Sequence, residues 1–308
     1  MAALRILLTG GHGMVGRNLR AHPKAQAFEI VAPPRAELDL RDKAAVGAFL
    51  RRTAPDLVVH AAGRVGGIQA NIEDPLGFLL ENLEISTNLV SGALEAGVER
   101  FLNLASSCIY PCDHDGPLRE EMILGGPLEP TNEGYAVAKI AALKLCEYAA
   151  AAGRRYKTII PCNLYGPHDD FDLRTAHLLP AIVHKVHVAK RDGARTVEIW
   201  GDGSARREFM YAGDLADAVL TLAARFDDAP TLMNVGLGED HSVLEYYQAV
   251  AAVVGWHGDF AFDRSKPVGM RRKLLDVSRQ AAWGWRPGWT LEAGIRATYE
   301  HFLGWAAA

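Results

Sequence analysis

The stretch Arg5-Ile6-Leu7-Leu8-Thr9-Gly10-Gly11-His12-Gly13-Met14-Val15-Gly16 sets the architecture. A short apolar run leads straight into glycines and then into a helical segment through Arg20, the order strand, turn, helix. Gly10, Gly13 and Gly16 let the backbone approach a pyrophosphate closely. Met14 and Val15 begin a helix whose free N–H groups and dipole favour negative charge at that point. A tight turn alone uses the same glycines, but their place directly behind an N-terminal strand favours a dinucleotide.

Outward from this turn, Phe28 to Val31 forms a short second strand ending in Ala32-Pro33-Pro34-Arg35, with no carboxylate at its tip. An acid there serves the ribose 2′-hydroxyl of NAD, whereas an arginine suits a 2′-phosphate, so Arg35 points to NADP(H). An ordinary solvated arginine is the alternative. Asp39, with Leu40 beside it, is placed to meet the adenine, and Asp42 to cap the next helix. Asp56 to His60 reads as a buried third strand, and Ala61-Ala62-Gly63 at its end offers small residues against which a cofactor sugar packs. After the Gly66-Gly67 loop, Pro75 to Gly97 reads as one long helix, and Arg100 to Leu104 as a fourth strand that delivers Ser106. Strands alternating with helices imply a Rossmann-type, doubly wound parallel sheet with its site at the C-terminal strand ends.

Composition bounds the function. At 308 residues with a formal net charge of −4 and no charge blocks, the chain reads as a soluble globular protein without the basic stripe that nucleic acid requires. The apolar opening is too short for a membrane span, so a cytoplasmic protein is expected. Four cysteines, at 108, 112, 146 and 162, form no CxxC pair; reduced thiols and no metal are expected.

The chemistry falls between Ser106 and Lys139. Tyr135 and Lys139 lie four apart at the start of a helical run, Thr131 to Ala152, and so share one face. A phenol beside an ammonium is expected to lose its proton more easily. With the Ser106 hydroxyl from a strand end, the set holds and protonates a carbonyl oxygen while hydride reaches its carbon.

Farther on, Arg155 to Pro161 is a strand leading to Asn163-Leu164-Tyr165-Gly166-Pro167. A helix around His177 to Ala189, a strand Thr196 to Trp200, and helices Asp214 to Arg225 and Leu291 to Trp305 follow. The expected division is a cofactor domain over 1–165, completed by 209–235, and a smaller C-terminal α/β substrate-binding domain mainly over 166–308. The tryptophans at 283, 285 and 289 read as packing.

The glycine pattern, Ser106 and Tyr135-x-x-x-Lys139 resemble the extended short-chain dehydrogenase/reductases that act on nucleotide sugars. Ser106-Ser107-Cys108-Ile109-Tyr110-Pro111, Leu128-Glu129-Pro130-Thr131-Asn132-Glu133, Asn163 through Asp169 and Lys273-Leu274-Leu275-Asp276-Val277 resemble the GDP-L-fucose synthase family nearly end to end. The resemblance implies 3,5-epimerisation and NADPH-dependent 4-reduction of GDP-4-keto-6-deoxy-mannose. A ketone at C4 acidifies the protons on C3 and C5, and donors that steady an enolate oxygen also steady it during hydride addition. The resemblance makes Tyr135 and Ser106 serve all three steps, with Lys139 holding the ribose, Cys108 the base and His177 the acid of epimerisation. It also has Trp200 stack on guanine, Asn163 contact the nucleotides, Arg207 bind diphosphate or sugar oxygens, and Ser107, His177 and Lys273 join the substrate site. Core packing is the alternative for Trp200, and a surface ion pair for Arg207.

Three positions depart from the family. Lys185 stands for an arginine, which removes bidentate phosphate contact; His12 stands for a basic residue of the glycine loop, and Gln69 for a histidine. A relative acting on another GDP-4-keto-6-deoxy sugar, a heptose or a 3-deoxy sugar, keeps nearly every motif. An NDP-sugar 4-epimerase with bound NAD and a nucleotide-sensing scaffold are the other readings, opposed respectively by Cys108 with His177 and by the intact Ser106, Tyr135 and Lys139. Pairing of the two long helices across a two-fold axis, as in this superfamily, implies a homodimer.

Overall fold

Apolar residues alternate between two buried faces along each early strand. Leu7, Val58, Phe101 and Tyr156 enter one core, while Ile6, Leu8, Val59, Leu102 and Ile159 enter another. Runs buried on both sides are what a parallel sheet between helical layers requires. The computed structural model describes residues 3–266 and 268–307. The strands β1 (Leu4–Thr9), β2 (Phe28–Val31), β3 (Leu57–His60), β4 (Arg100–Leu104) and β5 (Arg155–Pro161) lie side by side, all parallel. Three further strands follow, β6 (Asn163–Tyr165), β7 (Thr196–Trp200) and β8 (Arg206–Arg207), then β9 (Phe209–Tyr211) and β10 (Leu232–Val235). The large sheet runs β10-β5-β4-β3-β1-β2. The chain crosses from β2 over β1 to β3, so the order reverses at β1 and leaves a crevice behind its C-terminal end.

Helices cover both faces. On one side lie α1 (Met14–Ala21) and, far along the chain, the helix over 212–224. The other side carries α2 (Lys43–Thr53) and α4 (Pro75–Glu95), with α5 (Glu133–Ala151) packed along α4 and the short α3 (Ile68–Glu73) set against α4 away from the sheet cores. Asp42 caps α2 as expected, its Oδ1 accepting from the N–H groups of Ala44 and Ala45 at 2.9 and 3.0 Å.

Of the later helices α6 (Leu178–Arg191), α7 (Ala212–Ala224), α8 (Val243–Val254), α9 (Ser278–Trp283) and α10 (Leu291–Ala306), a third core joins α6, α8 and α10 with β7. Leu179, Ile182 and Val183 of α6 meet Tyr246 and Val250 of α8 and Phe302 of α10, whereas α7 and α9 belong to the large-sheet core. The strands β11 (His241–Ser242), β12 (Asp259–Asp263) and β13 (Arg272–Lys273) complete the set. β12 pairs with β7, and a small sheet in the order β11-β8-β13 sits beside the β6–β9 pair.

Several boundaries differ from expectation for local reasons. α4 stops at Glu95, short of Gly97, because Gly97 takes φ +74° and Val98 N–H turns back to the Ala93 carbonyl. α3 falls in the segment read as loop; Asn71 Nδ2 donates to the Gly66 and Gly67 carbonyls, and Gly67 N–H reaches Thr175 O. Trp283 and Trp285 are buried packing residues, while Trp289 stays nearly half exposed with its ring against Tyr211.

Candidate active site

The glycine turn is built for close approach. A Cβ at Gly10, whose φ is +73°, would fall 2.7 Å from the Ala61 carbonyl, and one at Gly16 would fall 2.2 Å from Gly10 O. A Cβ at Gly13 meets nothing nearer than 3.5 Å, which leaves the mouth of the cradle open. Gly13 is the N-cap of α1 and offers no side-chain acceptor, so the first helical N–H groups, at Met14 and Val15, stay free for an anion. At the next strand end a Cβ on Gly63 would lie 3.5 Å from Lys139 Nζ and 2.8 Å from Asn82 Oδ1. The residues therefore fit a dinucleotide laid from the α1 N-terminus, past Ala61, Ala62 and Gly63, to Lys139.

At the other end of this path Arg35 is exposed and shares Asp39 (3.8 Å) and Glu81 (3.4 Å) as ion partners. Asp39 is held mainly by Arg41, which lowers its carboxyl to about 2; Leu40 is buried beside it. His12 Nε2 lies 3.2 Å from Ala32 O and so bridges the glycine turn to the tip of β2. Gln69 pairs with Glu73 on the exposed side of α3.

Ser106 lies two residues past β4 and caps a single turn, Ser107–Ile109, its Oγ accepting from Cys108 N–H at 3.4 Å. That turn points the Cys108 thiol into the same space as Tyr135 and Lys139 from the first turns of α5. Lys139 is buried and donates to Leu104 O at 3.2 Å, with Nζ 5.7 Å from the Tyr135 ring. Burial lowers the Lys139 ammonium to about 8. Below it, His60 is wholly buried between Thr9 and Ser86 and stays neutral, desolvation taking it down to about 3.

The expectation that Lys139 loosens the Tyr135 proton is not met in the free protein. Burial raises the phenol well above its ordinary value, the Cys108 sulfur adds to this, and only the Ser106 hydroxyl draws it down. Lys139 is not among the groups that act on the phenol and desolvation dominates, so Tyr135 stays protonated at neutral pH. A proton donor needs that state.

Tyr135 and Lys273 are half-buried and His177 is exposed, yet protein crowds around all three closely enough for desolvation to dominate their titration. His177 occupies the N-cap of α6, and its imidazole makes no capping hydrogen bond. Burial lowers His177, and Lys273 lowers it further; burial raises Cys108, against which Lys273 acts most strongly. The free protein thus holds a neutral thiol and a neutral imidazole, with Lys273 favouring the base form of each. Exchange that uses a Cys108 thiolate rises with pH, and Lys273→Met shifts that rise to higher pH; pH profiles of both proteins check the shift.

Arg207 on β8 donates to Arg206 O (2.8 Å) and Val268 O (2.7 Å), and no carboxylate pairs with it among the described residues. A cleft cation held only by carbonyls suits an anionic ligand, and the ion-pair alternative falls. Trp200 at the end of β7 is 44% exposed, so it is not core. Its ring lies 5.5 Å from Lys185 Nζ and 5.6 Å from Lys266 Nζ. Asn163 on β6 donates to Glu208 O at 3.0 Å, and Ser107 is buried. Sequence reasoning missed Lys266 and Glu208. Neither carried a periodic or motif signal. A hollow of about 510 Å³ beside Arg100 and Arg155 lies at the opposite, N-terminal strand edge and holds none of these residues. Among the described residues no group of three or more His, Cys, Asp or Glu is placed to hold a metal.

Residues 6–236 match the model of the NAD dependent epimerase/dehydratase family. The chain is 51% identical to a GDP-L-fucose synthase of Azorhizobium caulinodans over 97% of this chain and 96% of that one. It is 49% identical to a GDP-L-colitose synthase of Yersinia pseudotuberculosis over 97% and 98%. The crystal structure of a GDP-L-fucose synthetase from Naegleria fowleri bound to NADP superimposes with a TM-score of 0.88 at 26% identity, covering 100% of this chain and 95% of that one. The glycine cradle, the Ser106, Tyr135 and Lys139 cluster and these full-length likenesses agree: the chain belongs to the NAD dependent epimerase/dehydratase family, in the branch that holds GDP-L-fucose synthase.

Proposed function

We propose that the protein converts GDP-4-keto-6-deoxy-mannose to GDP-L-fucose by epimerisation at C3 and C5 and NADPH-dependent reduction at C4. The observation that carries this reading is the meeting of Cys108 with Ser106, Tyr135 and Lys139 on one cleft wall, since an NDP-sugar 4-epimerase has no use for a thiol there. Bound NADPH supplies hydride to the C4 carbon. Tyr135 and Ser106 hold the C4 oxygen, and Tyr135 gives it a proton as the alcohol forms. The same two hydroxyls steady the enolate when the C3 or C5 proton leaves. Cys108 and His177 remove and return those protons on the two faces of the ring, and Lys139 fixes the ribose. Arg207, Lys273, Lys185 and Trp200 hold the GDP, the last by stacking on guanine.

Stoichiometric NADPH oxidation on adding the ketosugar tests the reading; exchange without oxidation would make the protein an epimerase only. One observation favours a second sugar: identity to the GDP-L-colitose synthase nearly equals that to the fucose synthase. Colitose is fucose without the 3-hydroxyl, so inversion at C5 alone would serve it. For the cofactor, Arg35→Ala raises the KM for NADPH roughly tenfold, as loss of a charged phosphate contact does, and leaves NADH unaffected. Equal turnover of wild type with NADH and NADPH would remove Arg35 from that role.

The cofactor part is assigned to 1–165 with 209–235 and the substrate part mainly to 166–308. The protein is assigned as a homodimer through α4 and α5, on the support of exposed Leu76, Leu80, Val137 and Tyr148 along those helices. No described helix is long and apolar enough to cross a membrane. We place the enzyme in the cytosol, where a functional Cys108 stays reduced.

A further inference from the structure

Glu208 is 1% exposed, yet its polar atoms bind three segments. Oε1 accepts from Leu237 N–H (2.6 Å) and Gly238 N–H (2.9 Å), and Oε2 accepts from Leu275 N–H (2.8 Å). Its own N–H donates to Lys273 O at 3.2 Å, and its carbonyl accepts from Asn163 Nδ2 at 3.0 Å. The space is reserved for this carboxylate, because a Cβ at Gly236 would fall 2.3 Å from Oε1. The cations Arg207 and Lys273 are register partners on β8 and β13, immediately before and beside it. Such short strands have too few ladder bonds to hold their own register. A buried carboxylate with three N–H donors supplies what the ladder lacks.

We propose that Glu208 is a positioning residue for the nucleotide-sugar site: its carboxylate locks the strand that carries Arg207 to the segment that follows Lys273 and both to the end of β10, presenting the two cations to the diphosphate in fixed register. The inference rests on the GDP-sugar reading. Burial raises the Glu208 carboxyl to about 7, and the three N–H groups pull the other way, as expected of a group retained for its acceptors. Asp240 holds the same two strands from another side, its carboxylate accepting from Arg206 Nε (2.7 Å) and Arg272 Nε (2.5 Å).

Glu208→Gln keeps the volume, and its amide oxygen keeps Leu237 and Gly238, but its NH₂ group meets Leu275 N–H donor to donor. GDP affinity by calorimetry is expected to fall roughly tenfold, the cost of one lost buried acceptor, and the ketosugar KM to rise alike. NADPH affinity and kcat stay near wild type. Unchanged GDP affinity would overturn the proposal, as would GDP and NADPH affinities falling together. If Glu208→Gln does not fold, Asp240→Asn carries the test on the same strands, with the same split expected and unchanged GDP affinity again overturning it. Wild-type protein that binds GDP but turns over no ketosugar would sink the functional reading and leave this test standing.

Discussion

Tyr135→Phe lowers kcat for reduction of the C4 ketone by ~10²–10⁴, the range for loss of a positioned proton donor, with NADPH affinity close to unchanged. The expectation follows from the state of the phenol. Burial keeps Tyr135 protonated, and Ser106 beside it hydrogen-bonds but, as a hydroxyl of far higher pKa, is a poor replacement acid. The Lys139 ammonium donates to the Leu104 carbonyl and lies beside Gly63, so it does not take over the proton. Single-turnover reduction with saturating NADPH separates chemistry from binding. Retention of more than roughly a tenth of the wild-type rate, about 1.4 kcal/mol of barrier, would remove Tyr135 from the donor role.

Cys108→Ser divides the two reactions. Solvent deuterium exchange at C3 and C5 falls by ~10²–10³, because a serine hydroxyl seldom ionises where even the thiol is pushed up by burial. Reduction of an already epimerised ketone falls by far less, since Ser106, Tyr135 and Lys139 are untouched. The substitution is nearly isosteric at a residue only 5% exposed, so the fold is retained. Equal losses in the two assays would show that Cys108 supports the site in general and has no role as a base. His177→Asn, assayed the same way, is expected to lose exchange with Cys108, as members of one proton-transfer unit do.

Much of the fold was legible because its strands are continuous apolar runs between turn residues. Phe28–Val31, Arg100–Leu104, Arg155–Pro161 and Thr196–Trp200 lie where the sequence puts them. The glycine turn and the Tyr135, Lys139 spacing were legible for a similar reason: each is a local geometry fixed by residues close in sequence. The two-residue strands β8, β11 and β13 were not, since their pairing joins segments more than thirty residues apart and leaves no periodicity. α3 was hidden by the Gly66-Gly67 pair and is stabilised by contacts to the loop before α6. The electrostatics were least legible. Spacing brings a lysine to a tyrosine, but whether attraction or desolvation controls the phenol depends on what the rest of the chain stacks around it. Glu208 escaped notice for that reason also: its three partners come from two distant segments.

The most direct test is one incubation of the protein with GDP-4-keto-6-deoxy-mannose and NADPH in deuterium oxide, with the product isolated and its label located. The account predicts that NADPH is consumed and that GDP-L-fucose appears carrying solvent deuterium at both C3 and C5. Consumption of NADPH with no deuterium at either carbon, or no consumption at all, would contradict it.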